Sequence, residues 1–240
     1  MKAGTTLPYT VADQERMSRA HRYFEWQSRM AERQLGQRVL EIGCGLGNFS
    51  QHLTRRELVV GIDVEAECIF RWQQRFRDCP HYLGMTLSAA DQAFIELKKY
   101  GPDSIACLNV LEHVRDDMLA LGHMKAVLPR GGRIVLIVPA FPALYGRIDC
   151  NLGHYRRYTR ASLRNAAAAA GLSMVTLRFF NSVGFFGWWV NAKILKKENQ
   201  SEGQIAFFDA FIVPAMSSAE SLISPPFGQS LFAVLEKTAT

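Results

Sequence analysis

Residues 39–50 read VLEIGCGLGNFS, and this stretch decides the fold that the sequence predicts. The apolar run at 38–43 is typical of a short buried strand. Gly43 and Gly45 then permit a sharp turn, because glycine adopts backbone conformations that are closed to other residues. Gly47 leaves room for a ligand to approach the backbone where a helix over 48–55 begins. A strand, a glycine turn and a helix in this order are typical of the ligand-binding edge of an α/β sheet.

Strands and helices alternate along the rest of the chain. Six further strands are predicted, at 57–63, 82–87, 104–110, 133–138, 173–180 and 230–237. Helices are predicted at 11–35, 65–77, 116–127 and 160–170, the third of them stopped by the Pro and Gly residues of 129–132. The alternation predicts a mostly parallel, doubly wound α/β sheet. We expect one domain over 1–240, with an insertion at about 181–228 between the last two strands.

The composition excludes several classes of protein. Hydrophobic residues at 48% and charged residues at 21% favour a globular chain over a disordered one. The net charge of +6 is too diffuse to indicate nucleic-acid binding, although it favours anionic molecules or surfaces. The five cysteines form no CxxC pair, so no metal site is expected. The first residues lack the apolar core of a secretory leader, which favours a reducing, cytoplasmic location.

Two carboxylates accompany the glycine turn. Asp63 ends the second predicted strand, about 20 residues after the turn, where an acid can accept hydrogen bonds from both hydroxyls of a ribose. Alternatively, Asp63 caps the following helix. Glu41 lies inside the first strand, where an unpaired carboxylate is costly. A carboxylate there suits a ligand with an ammonium group better than a ligand with a pyrophosphate.

Taken together, these motifs resemble those of the class I S-adenosylmethionine-dependent methyltransferases. EIGCGLGN at 41–48 is similar to their first motif, and VVGID at 59–63 to their second. NVLEHV at 109–114 resembles the motif after strand four of the small-molecule branch, which includes the ubiquinone O-methyltransferases and bacterial methyltransferases of unassigned substrate. LPRGGRIVLIVP, at 128–139, resembles the turn before strand five. The resemblance covers roughly 38–171 and the tail 226–237, and it implies a Rossmann-like, seven-stranded sheet whose last strand inserts antiparallel between strands five and six.

The resemblance implies S-adenosylmethionine as the cofactor. The backbone of 43–47 would cradle its methionine part, Asp63 would hold its ribose, and the Asn109 region would approach its ammonium group. The candidate cofactor-binding residues are Glu41, Gly43, Cys44, Gly45, Gly47, Asp63, Val64, Ser88, Asn109 and Val110.

The adenine contact departs from the pattern of this class. Many relatives bind the adenine amino group through an Asp after strand three, whereas this chain has Thr-Leu-Ser at 86–88. Ser88 and Asp91 are the two candidates to substitute for that Asp.

The segment GHYRRYT at 153–159 is a dense group of basic and aromatic residues in a predicted loop over 139–159. One interpretation is an anion clamp, in which Arg156 or Arg157 binds a carboxylate or phosphate of the acceptor through two hydrogen bonds. The other interpretation is architectural, with Tyr158 in the core and Thr159 capping the next helix.

Histidines near this loop are the candidate bases for methyl transfer to a phenol or alcohol. His154 or Tyr155 could orient or deprotonate the attacking group. His113, after strand four, faces the same edge of the predicted sheet, and we prefer His154 of the two. Transfer to an amine or carboxylate needs mainly alignment rather than a base.

The segment FFNSVGFFGWWVNAKILKK at 179–197 carries six aromatic residues followed by basic ones. It is either a helix that packs beside the sheet, a lid over an apolar substrate, or a segment that touches a membrane through Trp188 and Trp189. Its longest uncharged stretch, 179–191, is too short to span a bilayer.

The sequence favours methyl transfer to a small, anionic and partly hydrophobic acceptor, with O-methylation preferred over N-methylation. A nicotinamide-dependent oxidoreductase is disfavoured, because the third glycine is displaced from the GxGxxG spacing. A non-catalytic interaction module with the same fold is the remaining alternative. No nucleic-acid partner is expected, peripheral membrane contact is one interpretation of 179–197, and the sequence does not indicate the oligomeric state.

Overall fold

Seven strands form one sheet in a computed structural model that describes residues 11–194 and 202–238. Their order across the sheet is β3-β2-β1-β4-β5-β7-β6, with β1 to β5 parallel and β7 antiparallel to both of its neighbours. The predicted sheet, including its antiparallel last strand between strands five and six, is therefore confirmed. The strands are β1 Arg38–Ile42, β2 Leu58–Asp63, β3 Tyr82–Thr86, β4 Ser104–Leu108, β5 Arg133–Pro139, β6 Ser173–Phe180 and β7 Ser230–Glu236.

The core lies on both faces of the sheet, because successive side chains of a strand point to opposite faces. In β1, Leu40 and Ile42 belong to one apolar cluster and Val39 to the other. β5 divides in the same way, with Leu136 on the first face and Val135 on the second. Strands buried on both faces read as continuous apolar runs, which is why the sequence located them well.

The helices of the described residues cover the two faces and the carboxyl edge of the sheet. They are α1 Val11–Met17, α2 His21–Glu32, α3 Ala66–Arg75, α4 Asp117–Val127, α5 Arg147–Asn151, α6 Arg160–Ala169, α7 Ser182–Trp189, α8 Glu202–Phe207 and α9 Val213–Leu222. Short 3-10 turns occur at Ser50–Leu53, Gln92–Tyr100, Leu111–His113 and Pro142–Leu144.

The helix predicted over 11–35 is wrong as a single element, because it breaks between Met17 and His21. The cause is a distant carboxylate. Asp209 accepts hydrogen bonds from the backbone N–H groups of Arg22 and Tyr23, at 3.2 and 2.8 Å. These donors have no partner within a helix that starts there, so Asp209 stabilises a new helix start.

The helix predicted over 48–55 is also wrong, and only the turn Ser50–Leu53 forms. Gly47 has a φ of 81°, and its N–H bonds back to the carbonyl of Cys44 at 2.9 Å. The chain is therefore still turning where the predicted helix would begin.

Between β6 and β7 the chain forms α7, which continues as a π-helix at Val190–Ile194, and then a long helix. α8, a π-helix at Phe208–Ile212 and α9 together make one continuous helix, Glu202–Leu222. By length and composition alone, Glu202–Leu222 is long and apolar enough to cross a membrane. Residues 195–197 of the predicted lid or membrane segment lie outside the described residues.

Candidate functional site

A cavity of about 830 Å³ opens at the carboxyl ends of the parallel strands. Open α/β sheets bind ligands at this edge, and the volume is in the range of small-molecule sites. Nine of the ten predicted cofactor-binding residues line it: Glu41, Gly43, Cys44, Gly45, Asp63, Val64, Ser88, Asn109 and Val110. Gly47 does not line the cavity. A side chain at that position would lie 2.5 Å from the ring of Phe76, so Gly47 is needed for packing.

The glycine turn is closed by internal hydrogen bonds. The N–H groups of Gly43 and Cys44 both donate to the carbonyl of Ile62, at 2.8 and 3.0 Å. The N–H of Gly45 donates to Asp63 Oδ2 at 2.9 Å, and the N–H of Leu46 donates to a side chain of α1. The backbone donors that the sequence analysis expected to cradle a ligand therefore have protein acceptors in this structure.

Asp63 links the glycine turn to the start of α3. One carboxylate oxygen accepts the N–H of Gly45, and the other accepts the N–H of Glu65 at 3.0 Å. Burial raises the pKa of Asp63, while these backbone donors lower it. The residue before α3 is Glu65, which makes no side-chain cap bond, so Asp63 is not the conventional N-cap of that helix. Asp63 lines the cavity together with the glycine turn and Val64.

Glu41 is buried beneath the same turn. Its Oε2 accepts a hydrogen bond from the hydroxyl of Ser50 at 2.6 Å, and the indole N–H of Trp72 donates to that hydroxyl at 2.7 Å. Burial raises the pKa of Glu41 to about 8. The buried Glu41 carboxyl group therefore holds its proton more strongly than an exposed glutamate does.

The loop after β3 distinguishes the two adenine candidates. Leu87, Ser88, Ala89 and Ala90 line the cavity, whereas Asp91 is not among the lining residues. The N–H of Ala90 donates to the Ser88 hydroxyl at 3.1 Å. The geometry favours Ser88 and its apolar neighbours over Asp91 as the wall for a flat ring.

Asn109 follows β4 in a left-handed conformation, with a φ of 56°. Asparagine tolerates this region better than most residues. Its N–H donates to the carbonyl of Ile137 in the neighbouring strand at 2.8 Å, which fixes the turn toward Val110. Both residues line the cavity on the side opposite Asp63 in the strand order β2-β1-β4.

Gln14 of α1 is a site residue that the sequence analysis missed. Its amide oxygen accepts the N–H of Leu46 at 3.1 Å, and its amide nitrogen donates to Cys68 Sγ at 3.3 Å. The buried Gln14 side chain lines the cavity directly above Gly45. The amphipathic pattern of the N-terminal segment predicted a helix but gave no signal for this contact.

On the acceptor side, His154 belongs to a buried network with Asp149 and Arg157. His154 Nδ1 donates to Asp149 Oδ1 at 2.9 Å, and Arg157 Nε donates to the same oxygen at 2.8 Å. Burial would raise the pKa of Asp149, but its bond to His154 and the charge of Arg157 outweigh this and lower it. Asp149 was not predicted as a site residue, although it lies in the same loop as His154.

Arg157 is committed to this network. A second guanidinium nitrogen donates to the carbonyl of Ala140 at 3.1 Å, and the guanidinium carbon lies 4.5 Å from the centre of the Trp188 ring. Arg157 is 4% exposed, and it forms part of the cavity wall next to His154.

The two residues before Arg157 differ in their access to the cavity. Arg156 does not line the cavity, because its guanidinium pairs with Asp117 at 2.8 Å and binds the carbonyl of Arg115 at 2.5 Å. Tyr155 lines the cavity and is exposed. The architectural interpretation of the neighbouring residues is confirmed: Tyr158 is buried, and the Thr159 hydroxyl accepts the N–H of Ser162 at 2.9 Å as the cap of α6.

Glu112, His113 and His154 each offer one donor atom, and these atoms lie within 4.8 Å of one another. Glu112 Oε2 is buried with no hydrogen-bond partner in the part of the chain that the structure describes. Burial raises the pKa of Glu112 to about 7 and, together with His154, lowers that of His113 to about 3. Two imidazole nitrogens and a carboxylate oxygen form a donor set that suits a divalent transition metal. These are the residues that could hold one, whereas the cysteine pattern indicated no metal.

Comparison with known families agrees with this site. Residues 14–177 match the family model described as a methyltransferase domain, which is more than half of the chain. The protein therefore belongs to this methyltransferase family, and its cofactor is S-adenosylmethionine, as the sequence predicted. The match extends from Gln14 into β6. It therefore includes both the glycine turn and the loop that carries His154.

Individual relatives are more distant. An uncharacterized methyltransferase of Mycobacterium tuberculosis is 30% identical over 107 residues, which is 44% of this chain and 52% of that protein. The chain thus spans about half the length of the curated relatives it matches.

Two solved structures show the same fold. One is a chain from the complex between the Trm112 methyltransferase activator of Haloferax volcanii and a methyltransferase, with 15% identity, a TM-score of 0.65 and coverage of 95% of this chain and 96% of that one. The other is the geranyl diphosphate C-methyltransferase of Streptomyces coelicolor, in complex with Mg²⁺, geranyl diphosphate and S-adenosylhomocysteine. Its identity is 16%, its TM-score 0.64, and the coverage is 91% and 82%.

Proposed function

We propose that this protein methylates a hydroxyl group of a small, partly apolar acceptor, with His154 as the base that accepts the hydroxyl proton. The observation that carries the proposal is that His154 lines the cavity while its Nδ1 bonds, at 2.9 Å, to the fully buried Asp149 behind it. This bond holds the proton on Nδ1 and leaves Nε2 as the nitrogen that can accept another. A histidine oriented by a buried carboxylate is the usual arrangement of a general base.

The cavity residues fit S-adenosylmethionine. The carboxylates of Asp63 and Glu41 suit the ribose hydroxyls and the ammonium group, and the loop from Leu87 to Ala90 offers a mostly apolar wall for the adenine. S-adenosylmethionine, when bound, supplies an electrophilic methyl group on a sulfonium. The chain's own residues would then bind the acceptor, exclude water through Trp188 and Ile205, and take up the proton at His154.

An anionic group of the acceptor would be bound by a residue other than Arg156 and Arg157, the two that the sequence indicated. Arg157 is paired with Asp149, and Arg156 with Asp117 outside the cavity. Arg115 lines the cavity and is exposed. We assign any anionic group of the acceptor to Arg115, and we assign Arg157 the role of positioning His154 through their shared carboxylate.

The test uses labelled S-adenosylmethionine and matched panels of phenols, hydroxy acids and primary amines as acceptors. We expect hydroxyl compounds to be methylated, and His154→Gln to lower the rate by about 10²- to 10⁴-fold while S-adenosylhomocysteine affinity is unchanged. Raising the pH above the phenol's own pKa should restore part of the lost rate, because the ionised acceptor no longer needs a base. Methylation of amines alone, with full activity in His154→Gln, would contradict the proposal.

A further inference from the structure

The outward face of the long helix Glu202–Leu222 is uncharged. From Gly203 to Leu222, every exposed side chain is apolar or neutral. Phe211 is 68% exposed and Leu222 is 85% exposed, and the ring of Phe207 lies tilted beside that of Phe211 with ring centres 5.1 Å apart. An exposed apolar strip of this length is uncommon on a soluble monomer and indicates a contact surface.

Two acids within this helix, Asp209 and Glu220, bind backbone N–H groups of the domain instead of facing solvent. Asp209 caps the start of α2, and Glu220 accepts the N–H groups of Asn181 and Ser182 at 2.9 and 2.8 Å. A helix that crossed a bilayer would pull both carboxylates away from these donors. The helix therefore lies along the surface of the domain, with one side anchored and the other side open.

A second segment repeats the pattern. α7 and the π-helix after it expose Phe186, Trp189 and Ile194. Both segments also form walls of the cavity. α7 contributes Gly187 and Trp188, and the long helix contributes Ile205 and Phe207. We call Phe186, Trp189, Phe207, Phe211 and Leu222 the apolar surface, and Phe207 belongs both to this surface and to the cavity wall.

Cations border the apolar surface. Arg22 of α2 donates to the carbonyl of Ala210 in the long helix, Arg16 lines the cavity, and Lys193 follows Trp189 in the second segment. The exposed acid of the long helix, Glu202, is neutralised by Arg19 at 2.6 Å. Exposed aromatic residues bordered by Arg and Lys are typical of a surface that lies on anionic lipid.

We propose that the apolar surface rests on a membrane containing anionic lipids, with the long helix in the plane of the interface, and that the acceptor enters the cavity from the lipid. Entry of the acceptor rests on the proposed function, whereas the membrane contact does not. A second copy of the chain is another possible occupant of this surface, and the experiment separates it from a membrane. A globular partner is an outcome that the experiment separates.

The experiment uses the full chain without cofactor or acceptor, sedimented with vesicles of phosphatidylcholine alone or mixed with phosphatidylglycerol. We expect the protein to pellet with the mixed vesicles, and Phe211→Asp and Leu222→Asp each to lower vesicle affinity on the order of tenfold. Neither residue lines the cavity, so affinity for S-adenosylhomocysteine should stay unchanged and shows that the variants fold. Phe70→Asp is the matched control, because Phe70 is a comparably exposed aromatic residue on α3.

A second measurement locates the contact. Brominated lipids should quench the tryptophan fluorescence of the wild type, and Trp189→Phe should remove most of that quenching. Absence of binding to either vesicle, or equal binding to both, would overturn the proposal. The proposal would also be overturned if the protein does not bind vesicles but forms a dimer that Phe211→Asp dissociates. Failure to methylate any acceptor leaves these results unaffected, so the two proposals fail separately.

Discussion

His154 Nδ1 and Asp149 Oδ1 lie 2.9 Å apart, and the same oxygen accepts a hydrogen bond from Arg157 at 2.8 Å. One buried carboxylate thus fixes both the ring orientation of the proposed base and a buried guanidinium. Asp149 lies in α5, and His154 and Arg157 lie in the loop that follows this helix. The geometry of the three side chains therefore depends on that helix and loop rather than on the sheet.

Asp149→Asn tests this arrangement. We expect the rate of methyl transfer to fall by about 10²-fold or more, because the amide can present N–H to His154 and favour the wrong tautomer. The pH profile of the remaining activity should also shift, which a merely structural role would not produce. Asp78→Asn, at an exposed position, is the control. An unchanged rate and pH profile in Asp149→Asn would show that His154 does not act as a base.

Adjacent arginines should differ sharply in their effect on stability. Arg157→Ala leaves Asp149 buried without its cation, which costs on the order of 3–5 kcal/mol. Arg156→Ala breaks a partly exposed pair with Asp117 and should cost about 1 kcal/mol or less. Thermal melting of the two variants measures the difference. An acceptor KM that rises in Arg156→Ala at unchanged stability would instead restore the anion clamp predicted from the sequence.

Asp63→Ala should weaken the binding of S-adenosylhomocysteine by about 10²-fold, because two hydrogen bonds between the carboxylate and the ribose are lost. Calorimetry measures this affinity, and we expect no binding of NAD. In Asp63→Asn, one side-chain oxygen remains to accept a backbone N–H from Gly45 or Glu65, and the other oxygen is replaced by an NH2 group. We therefore expect an affinity between those of the wild type and Asp63→Ala. Full affinity in Asp63→Ala would mean that the carboxylate only braces the glycine turn.

Gln14→Ala should lower S-adenosylhomocysteine affinity by roughly three- to tenfold, the value of one hydrogen bond, because the N–H of Leu46 loses its acceptor above the turn. The melting temperature should change little. Gln73→Ala is the control, since Gln73 bonds the carbonyl of Gly84 in an exposed position away from the cavity. Equal effects of the two variants would remove α1 from the cofactor site.

Glu41 should make stability depend on pH. Its pKa is raised to about 8 in the folded protein, so the folded state holds a proton that the unfolded state releases near pH 4 to 5. The folded state is therefore progressively disfavoured as the pH rises from about 4.5 to about 8. Glu41→Gln has no such proton, so the wild type should lose stability relative to this variant across that range. A constant difference in unfolding free energy from pH 5 to pH 8 would contradict the shift.

The strands and the glycine turn were predictable because their signals are local. Each strand is a short apolar run, and Asp63 ends the strand that follows the glycine turn along the chain. The break before His21 could not be predicted, because Asp209 supplies it from far along the chain. The same holds for Gln14, which meets Leu46 only after folding. Asp149 lies five residues before His154, and a search for acids beside each candidate histidine would have found it.

The antiparallel strand β7 has a consequence for how the protein is made. β6 pairs with β7 alone, and β7 fills the gap between β6 and β5. Of the described strands, β7 is the last to be synthesised, after the long helix with its open apolar face. Until then β5 and β6 present unpaired edges, which can associate with other chains. The nascent protein thus passes through a stage in which two strand edges and the open apolar helix face are together available for aggregation.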